Sequence, residues 1–228
     1  MHNRPRHNAF NLLSYNYMKE KLFEYKTLII NRRYFISFVN AILFFSASVI
    51  LNYYAGTYAT ENASNSVTDV ILSNTRAYDL DGIFVWGSIV LFFAIVYVCL
   101  SKPGQIPFIL KSLALFITTR SLFISLTHIG PFPSSVHLTS NLLNDLTFGG
   151  DLFFSGHTGM PFLLALIFWN EKWKRYMFLA FSLTFAVVVL LAHMHYTIDV
   201  LSAFFITFTI FHIADYAYKK DKKFYELK

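Results

Sequence analysis

Cysteine is nearly missing from this chain. The single one, Cys99, lies inside an apolar run, which excludes an intramolecular disulfide framework and a cysteine-based metal cluster. Charge is scarce as well. Only 14% of residues are charged, against roughly 25% in soluble domains, and that shortfall points to lipid as the solvent. Nothing in the chain reads as a second soluble core. A cleavable signal pattern is expected to be absent, because the first apolar run begins only after Arg33. What is present is apolar: 55% of residues are hydrophobic and 19% aromatic. The formal charge of +6 does not imply nucleic acid, because the basic residues sit at the ends of apolar runs, where they orient a membrane protein.

The runs predict an all-α integral membrane protein with six spans, at residues 34–54, 82–101, 106–126, 152–169, 176–193 and 196–216. Residues 1–33 form a basic N-terminal segment that reads as an interfacial helix. Residues 34–217 form the membrane catalytic domain and residues 218–228 a basic tail. The segment at 55–81 is polar and acidic and is expected to be a loop. Lysine and arginine collect in the N-terminal segment, the Lys102 turn, the Lys172-Lys174-Arg175 turn and the tail, so both termini are expected in the cytoplasm. Lys111, near the cytoplasmic end of the third span, is expected to snorkel. The Asn62-Ala63-Ser64 sequon matters only in a secretory pathway.

Ionisable groups within spans are costly and so draw attention. His195 and Asp199 are four apart at the head of one helix and share a face. An aspartate there accepts a hydrogen bond from one imidazole nitrogen and raises the basicity of the other. The bland alternative is that Asp199 neutralises a nearby cation. His157 follows Ser155 and Gly156 at the start of the fourth span, where glycine admits a ligand and helix N–H groups favour an anion. The hairpin between them returns His157, His195 and Asp199 to one side of the membrane, the exoplasmic side by the loop charges. Arg120 of the third span points to that side too. Asp151 is equally an N-cap or a site residue. Of the other histidines, His193 reads as a lining or hydrogen-bonded residue, His128 as a candidate helper of the site, and His212 as structural.

Phe-Ser-Gly-His-Thr with a preceding Gly-Asp, followed by Ala-His-x-His-Tyr-Thr-Ile-Asp-Val, resembles the sphingomyelin synthase family. That family sits within the type-2 phosphatidic acid phosphatase superfamily of six-span membrane enzymes. Arg120, Thr127 and Pro131-x-Pro133 are similar to its Arg…Thr…Pro-x-Pro segment, with a spacing one residue longer. The resemblance covers residues 115–215. It implies that His195 is the nucleophile, Asp199 its orienting partner and His157 the acid and base for the leaving and incoming hydroxyls. Asp151 corresponds to the family's aspartate before Ser-Gly-His. Arg120, Asp151, Ser155, Gly156, His128 and Tyr196 make up the candidate substrate-binding set.

The wider superfamily's phosphatases carry a Lys-x6-Arg-Pro element and a second arginine ahead of the second histidine. Here Lys111 and Arg120 have another spacing, no proline follows Arg120, and Val189 stands where the second arginine would be. A phosphate monoester carries close to two charges and wants several cations, whereas a diester carries one. The sequence therefore favours a diester substrate such as a phospholipid headgroup, and the resemblance implies transfer of its phosphocholine or phosphoethanolamine group to a lipid alcohol acceptor, ceramide or diacylglycerol. A phospholipase C-like hydrolase, a lipid phosphate phosphatase, a histidine-ligated haem protein and a non-catalytic lipid-binding protein are the alternatives. No metal, cofactor or nucleic acid is called for. Assembly into a homo-oligomer stays open.

Overall fold

The computed structural model describes residue 19, residues 21–135 and residues 152–226. Six α-helices follow in order: α1 (Arg32–Glu61), α2 (Asp81–Ser101), α3 (Ile106–Leu126), α4 (Gly156–Ile167), α5 (Lys172–Leu191) and α6 (Thr197–Ala217). Three 3-10 turns, Leu72–Asn74, Pro103–Gln105 and Asp221–Glu226, and a helical segment at 21–30 make up the rest of the regular structure among the described residues. No strand occurs among the described residues. Helices α1, α2, α3, α5 and α6 are long and apolar enough to cross a membrane.

The fourth predicted span is shorter than expected. Its helix has 12 residues and so rises about 18 Å, well short of a hydrocarbon core of about 30 Å. Sequence chemistry explains both ends. Ser155 caps the start, its hydroxyl accepting from Thr158 N at 3.4 Å. At the other end Phe168, Trp169 and Glu171 close successive tight turns on Leu164, Leu166 and Phe168. Pro161 also lacks the N–H that the carbonyl of His157 would otherwise receive. Helix α4 is thus a half-length element held inside the bundle, with Leu163, Leu164 and Ala165 almost fully buried.

The first helix is longer than its predicted span. It continues through Glu61 because Thr57 and Thr60 bond their own helix, to Tyr53 O at 3.0 Å and Gly56 O at 2.8 Å. Tyr34, Ala41, Ser48 and Ala55 recur every seven residues and are buried. The small ones, Ala41, Ser48 and Ala55, let α1 lie close against α3, where Ala55 and Ala59 meet Ile124. The expected loop at 55–81 accordingly begins only after Glu61.

Before α1, residues 21–30 are helical and Asn31 caps the turn into α1, accepting from Arg33 N and Tyr34 N. Leu22, Phe23, Ile29 and Ile30 face outward, while Lys21 and Tyr25 bond the carbonyls of Ser101 and Leu100 at the end of α2. Lys111 does not snorkel. Its ammonium lies 2.7 Å from Asp221 Oδ2 and 2.8 Å from Ser37 Oγ, which fastens the C-terminal turn beneath α1 and α3. The core itself is aromatic and aliphatic, with Phe116, Phe154, Leu163, Phe178, Val189 and Ala203 all essentially inaccessible.

Candidate active site

The site is assembled where three helix ends and one mid-helix arginine converge. Helix α5 ends in a Schellman turn: His193 N bonds Leu190 O at 3.0 Å and Met194 N bonds Val189 O at 2.9 Å. That motif needs a left-handed residue, and His193 supplies it with a φ of 54°. The turn swings the chain sharply, and two residues on it presents His195 at the start of α6.

The His195 ring is almost buried, and its Nδ1 lies 2.9 Å from the carbonyl of Leu152. A carbonyl oxygen only accepts, so Nδ1 carries the proton, and in the neutral ring the lone pair is then on Nε2. Asp199 Oδ2 is 3.5 Å from the same Nδ1, beyond a good hydrogen bond. From the spacing alone, the bond that fixes the tautomer is expected from Asp199. The structure gives it to Leu152, and leaves Asp199 to act through its charge. That carboxylate is fully buried. Its Oδ2 accepts from Tyr196 N at 2.9 Å, reaching back across the first turn of α6, and its Oδ1 has no hydrogen-bond partner among the described residues. Ser155 N bonds Asp199 O at 3.2 Å, so the start of α4 is pinned to the same turn.

Arg120 is buried and donates from Nε to Phe154 O at 3.1 Å. A Cβ on Gly156 would lie 3.2 Å from that Nε, so glycine here is what lets the guanidinium lie over the first turn of α4. The N–H groups of Gly156 and His157 belong to the first turn, which an α-helix leaves without internal partners. The His157 ring is held between Phe84 of α2, at 4.4 Å between centroids, and Phe185 of α5, at 5.6 Å. It lies within electrostatic reach of both His195 and Arg120.

His157, His195, Asp199, Arg120, Ser155 and Gly156 are therefore brought together. His128 and Tyr196 are not placed among them. The His128 ring packs on Tyr58 at 5.3 Å, and its carbonyl receives both the N–H and the hydroxyl of Ser64. Tyr196 is 1% exposed, its hydroxyl donating to Gly130 O at 2.8 Å and accepting from Val67 N at 3.2 Å. Both are struts of the loops above the site. His193 is another: Ser134 Oγ lies 2.7 Å from Nδ1 and Thr75 Oγ1 3.3 Å from Nε2. Asp151 lies outside the described residues.

Three contributors carried no sequence signal. Phe84 and Phe185 look like any lipid-facing aromatics until helix packing sets them around His157. Asp69 lies in the loop before α2, and in the sequence it is one acidic residue among several there. It accepts from Thr197 N at 2.7 Å and Thr197 Oγ1 at 2.9 Å, and so holds the N-terminus of α6. It also accepts from Ile71 N and Leu72 N. Burial alone pushes the Asp69 carboxyl up, but the bonds from Leu72, Thr197 and Ile71 outweigh it and hold it below its ordinary value. A depressed carboxyl stabilises the fold above its unfolded pKa and loses that contribution as pH falls through the folded value. Asp69→Asn turns an amide N–H₂ toward Thr197 N–H, at a cost of about 1–3 kcal/mol. Thermal unfolding should show a lower Tm at pH 7, and a smaller further loss than the parent as pH drops below the ordinary carboxylate value of 3.8.

Residues 149–216 match the family described as PAP2 superfamily C-terminal. No curated protein and no solved structure matches the chain. The matched stretch contains α4, α5 and the first twenty residues of α6, with His157, His195 and Asp199. It supports the type-2 phosphatidic acid phosphatase-like superfamily and an enzyme of the lipid phosphatase and phosphotransferase type. With the apolar helices, it supports an integral membrane protein.

Proposed function

We propose that this membrane bundle of the PAP2 kind moves a phosphodiester headgroup between lipids, in the manner of the sphingomyelin synthases. The observation that carries the reading is the pairing of a histidine whose Nδ1 donates to a carbonyl, leaving Nε2 for attack, with the buried Arg120 guanidinium, the one arginine that the described residues place at the site. His195 Nε2 attacks the phosphorus of a choline or ethanolamine glycerophospholipid. The bond from phosphorus to the glycerol oxygen breaks, and His157 gives that oxygen a proton as diacylglycerol leaves. Arg120 and the first-turn N–H groups of α4 hold the phosphoryl oxygens. A lipid alcohol such as ceramide then loses its proton to His157 and attacks the phosphohistidine, so the P–N bond breaks and His195 is restored. Water in place of the alcohol makes the same sequence a hydrolysis. On this reading the site faces the exoplasmic leaflet, as the distribution of basic loops indicates.

Substrate class follows from charge. The described residues place one arginine at the site, which matches a diester's single negative charge better than the two of a monoester. Protein reconstituted in liposomes is expected to form a headgroup-bearing product from fluorescent ceramide only when phosphatidylcholine or phosphatidylethanolamine is present. Diacylglycerol released without ceramide assigns hydrolysis instead. Cleavage of phosphatidic acid with no turnover of any diester overturns the reading.

A further inference from the structure

Helix α2 leans on the bundle along one narrow line. Its buried residues, Phe84, Leu91 and Val98, fall seven apart, with Ala94, Ile95 and Cys99 partly buried against the core beside them. Beside that line a groove of about 270 Å³ opens between α2 and α5. Gly87 lines it from α2, and Met177, Ala180, Phe181 and Phe185 line it from α5, with Thr184 adding a hydroxyl. Ile83, at its rim, is 54% exposed, so the groove is open on the outer side.

The groove exists because Gly87 presents no side chain to Phe185. A Cβ there would stand 3.2 Å from the Phe185 ring. Phe185 is the wall shared with the active site: its ring also packs on His157 at 5.6 Å and on Phe84 at 6.0 Å. The groove is thus one aromatic ring away from the histidine that serves the leaving oxygen. Both flanking helices are membrane-crossing candidates, so the outer opening gives onto acyl chains rather than water.

We propose that this groove holds an acyl chain of the lipid whose headgroup reacts, so that the lipid enters between α2 and α5 with its phosphate reaching His157 and Arg120. The proposal deepens the phosphotransfer reading and rests on it for the identity of the reacting lipid. An apolar chain suits a lining that is almost wholly hydrocarbon and aromatic, and binding energy from that remote chain helps position the phosphorus. The small side chain of Ala180 keeps the groove open, and a larger one fills it.

The test uses the full chain in nanodiscs of phosphatidylcholine doped with a phosphatidylcholine that carries a photoactivatable diazirine in one acyl chain. Labelling needs no turnover, so it is independent of the proposed reaction. The label is expected on the α5 peptide spanning residues 177–185, several-fold above the outward α1 residues Leu43 and Ile50, and Ala180→Phe is expected to suppress it. Equal labelling of α1 and α5, or labelling indifferent to Ala180→Phe, overturns the groove. In kinetics, Ala180→Phe is expected to lower kcat/KM about tenfold for a long-chain donor, with less than about a twofold loss for a dihexanoyl donor. Equal losses on both donors overturn it as well, and Ala180→Leu serves as a milder filling if the phenylalanine variant fails to fold. Selective labelling with no diester turnover keeps the groove and sinks the phosphotransfer reading.

Discussion

His195→Ala is expected to leave headgroup transfer at least about 10⁴-fold below the parent, far more than the fall in Tm from losing the bond to Leu152 O accounts for. The argument begins at Nδ1. Because that nitrogen donates to Leu152 O at 2.9 Å, the reactive lone pair sits on Nε2, and alanine removes the only atom the proposed first step uses to bind phosphorus. A control lies two residues away. His193→Ala removes the contacts to Ser134 and Thr75 and puts alanine at a φ of 54°. It should lower Tm measurably and transfer only modestly. A direct readout separates the two histidines of the site. With a donor labelled at phosphorus and a rapid alkaline quench, an acid-labile label is expected on the peptide containing His195. Label on the peptide containing His157 would exchange their roles, and no label at any quench time would argue for direct transfer without a phosphoenzyme.

Much of this site is legible in the sequence because helix geometry ties spacing to direction. His195 and Asp199 are four apart, so one face of α6 holds both, and the α4–α5 hairpin returns His157 to them. What the spacing cannot carry is the backbone. Leu152 acts through its carbonyl, which is identical in every residue, so the spacing points to the visible carboxylate as the tautomer-fixing partner instead. Asp69 and the Phe84–Phe185 clamp act across many residues of chain, and only packing brings them near His157 and Thr197. The fold shows the same division. Hydropathy located every apolar run, yet it extended the fourth span to 152–169, because it reads Leu152, Phe153 and Phe154 as apolar without seeing that Ser155 caps the helix after them. Lys111 looked like a snorkelling side chain for the same reason: its partner, Asp221, is 110 residues away.

Asp199→Asn separates two roles that a carboxylate beside a histidine usually plays together. Nε2 attack with the proton retained on Nδ1 makes the phosphorylated ring cationic. A buried carboxylate 3.5 Å from Nδ1 stabilises that charge as it develops. Asparagine removes the charge, while its carbonyl oxygen can still accept from Tyr196 N, so the first turn of α6 keeps its cap. Since Leu152 O still holds the Nδ1 proton, the tautomer is unchanged, and the loss reports electrostatics alone. The expected fall in kcat is about 10²–10³-fold, the scale of removing one fixed stabilising group. KM should change little and Tm should stay near the parent's. Loss of the correct tautomer costs more, about 10⁴-fold. A drop of that size in a folded Asp199→Asn protein would return the tautomer-fixing role to Asp199 and reduce the Leu152 carbonyl to a bystander. A fall in Tm that parallels the fall in kcat would instead make Asp199 a helix cap without a part in the chemistry.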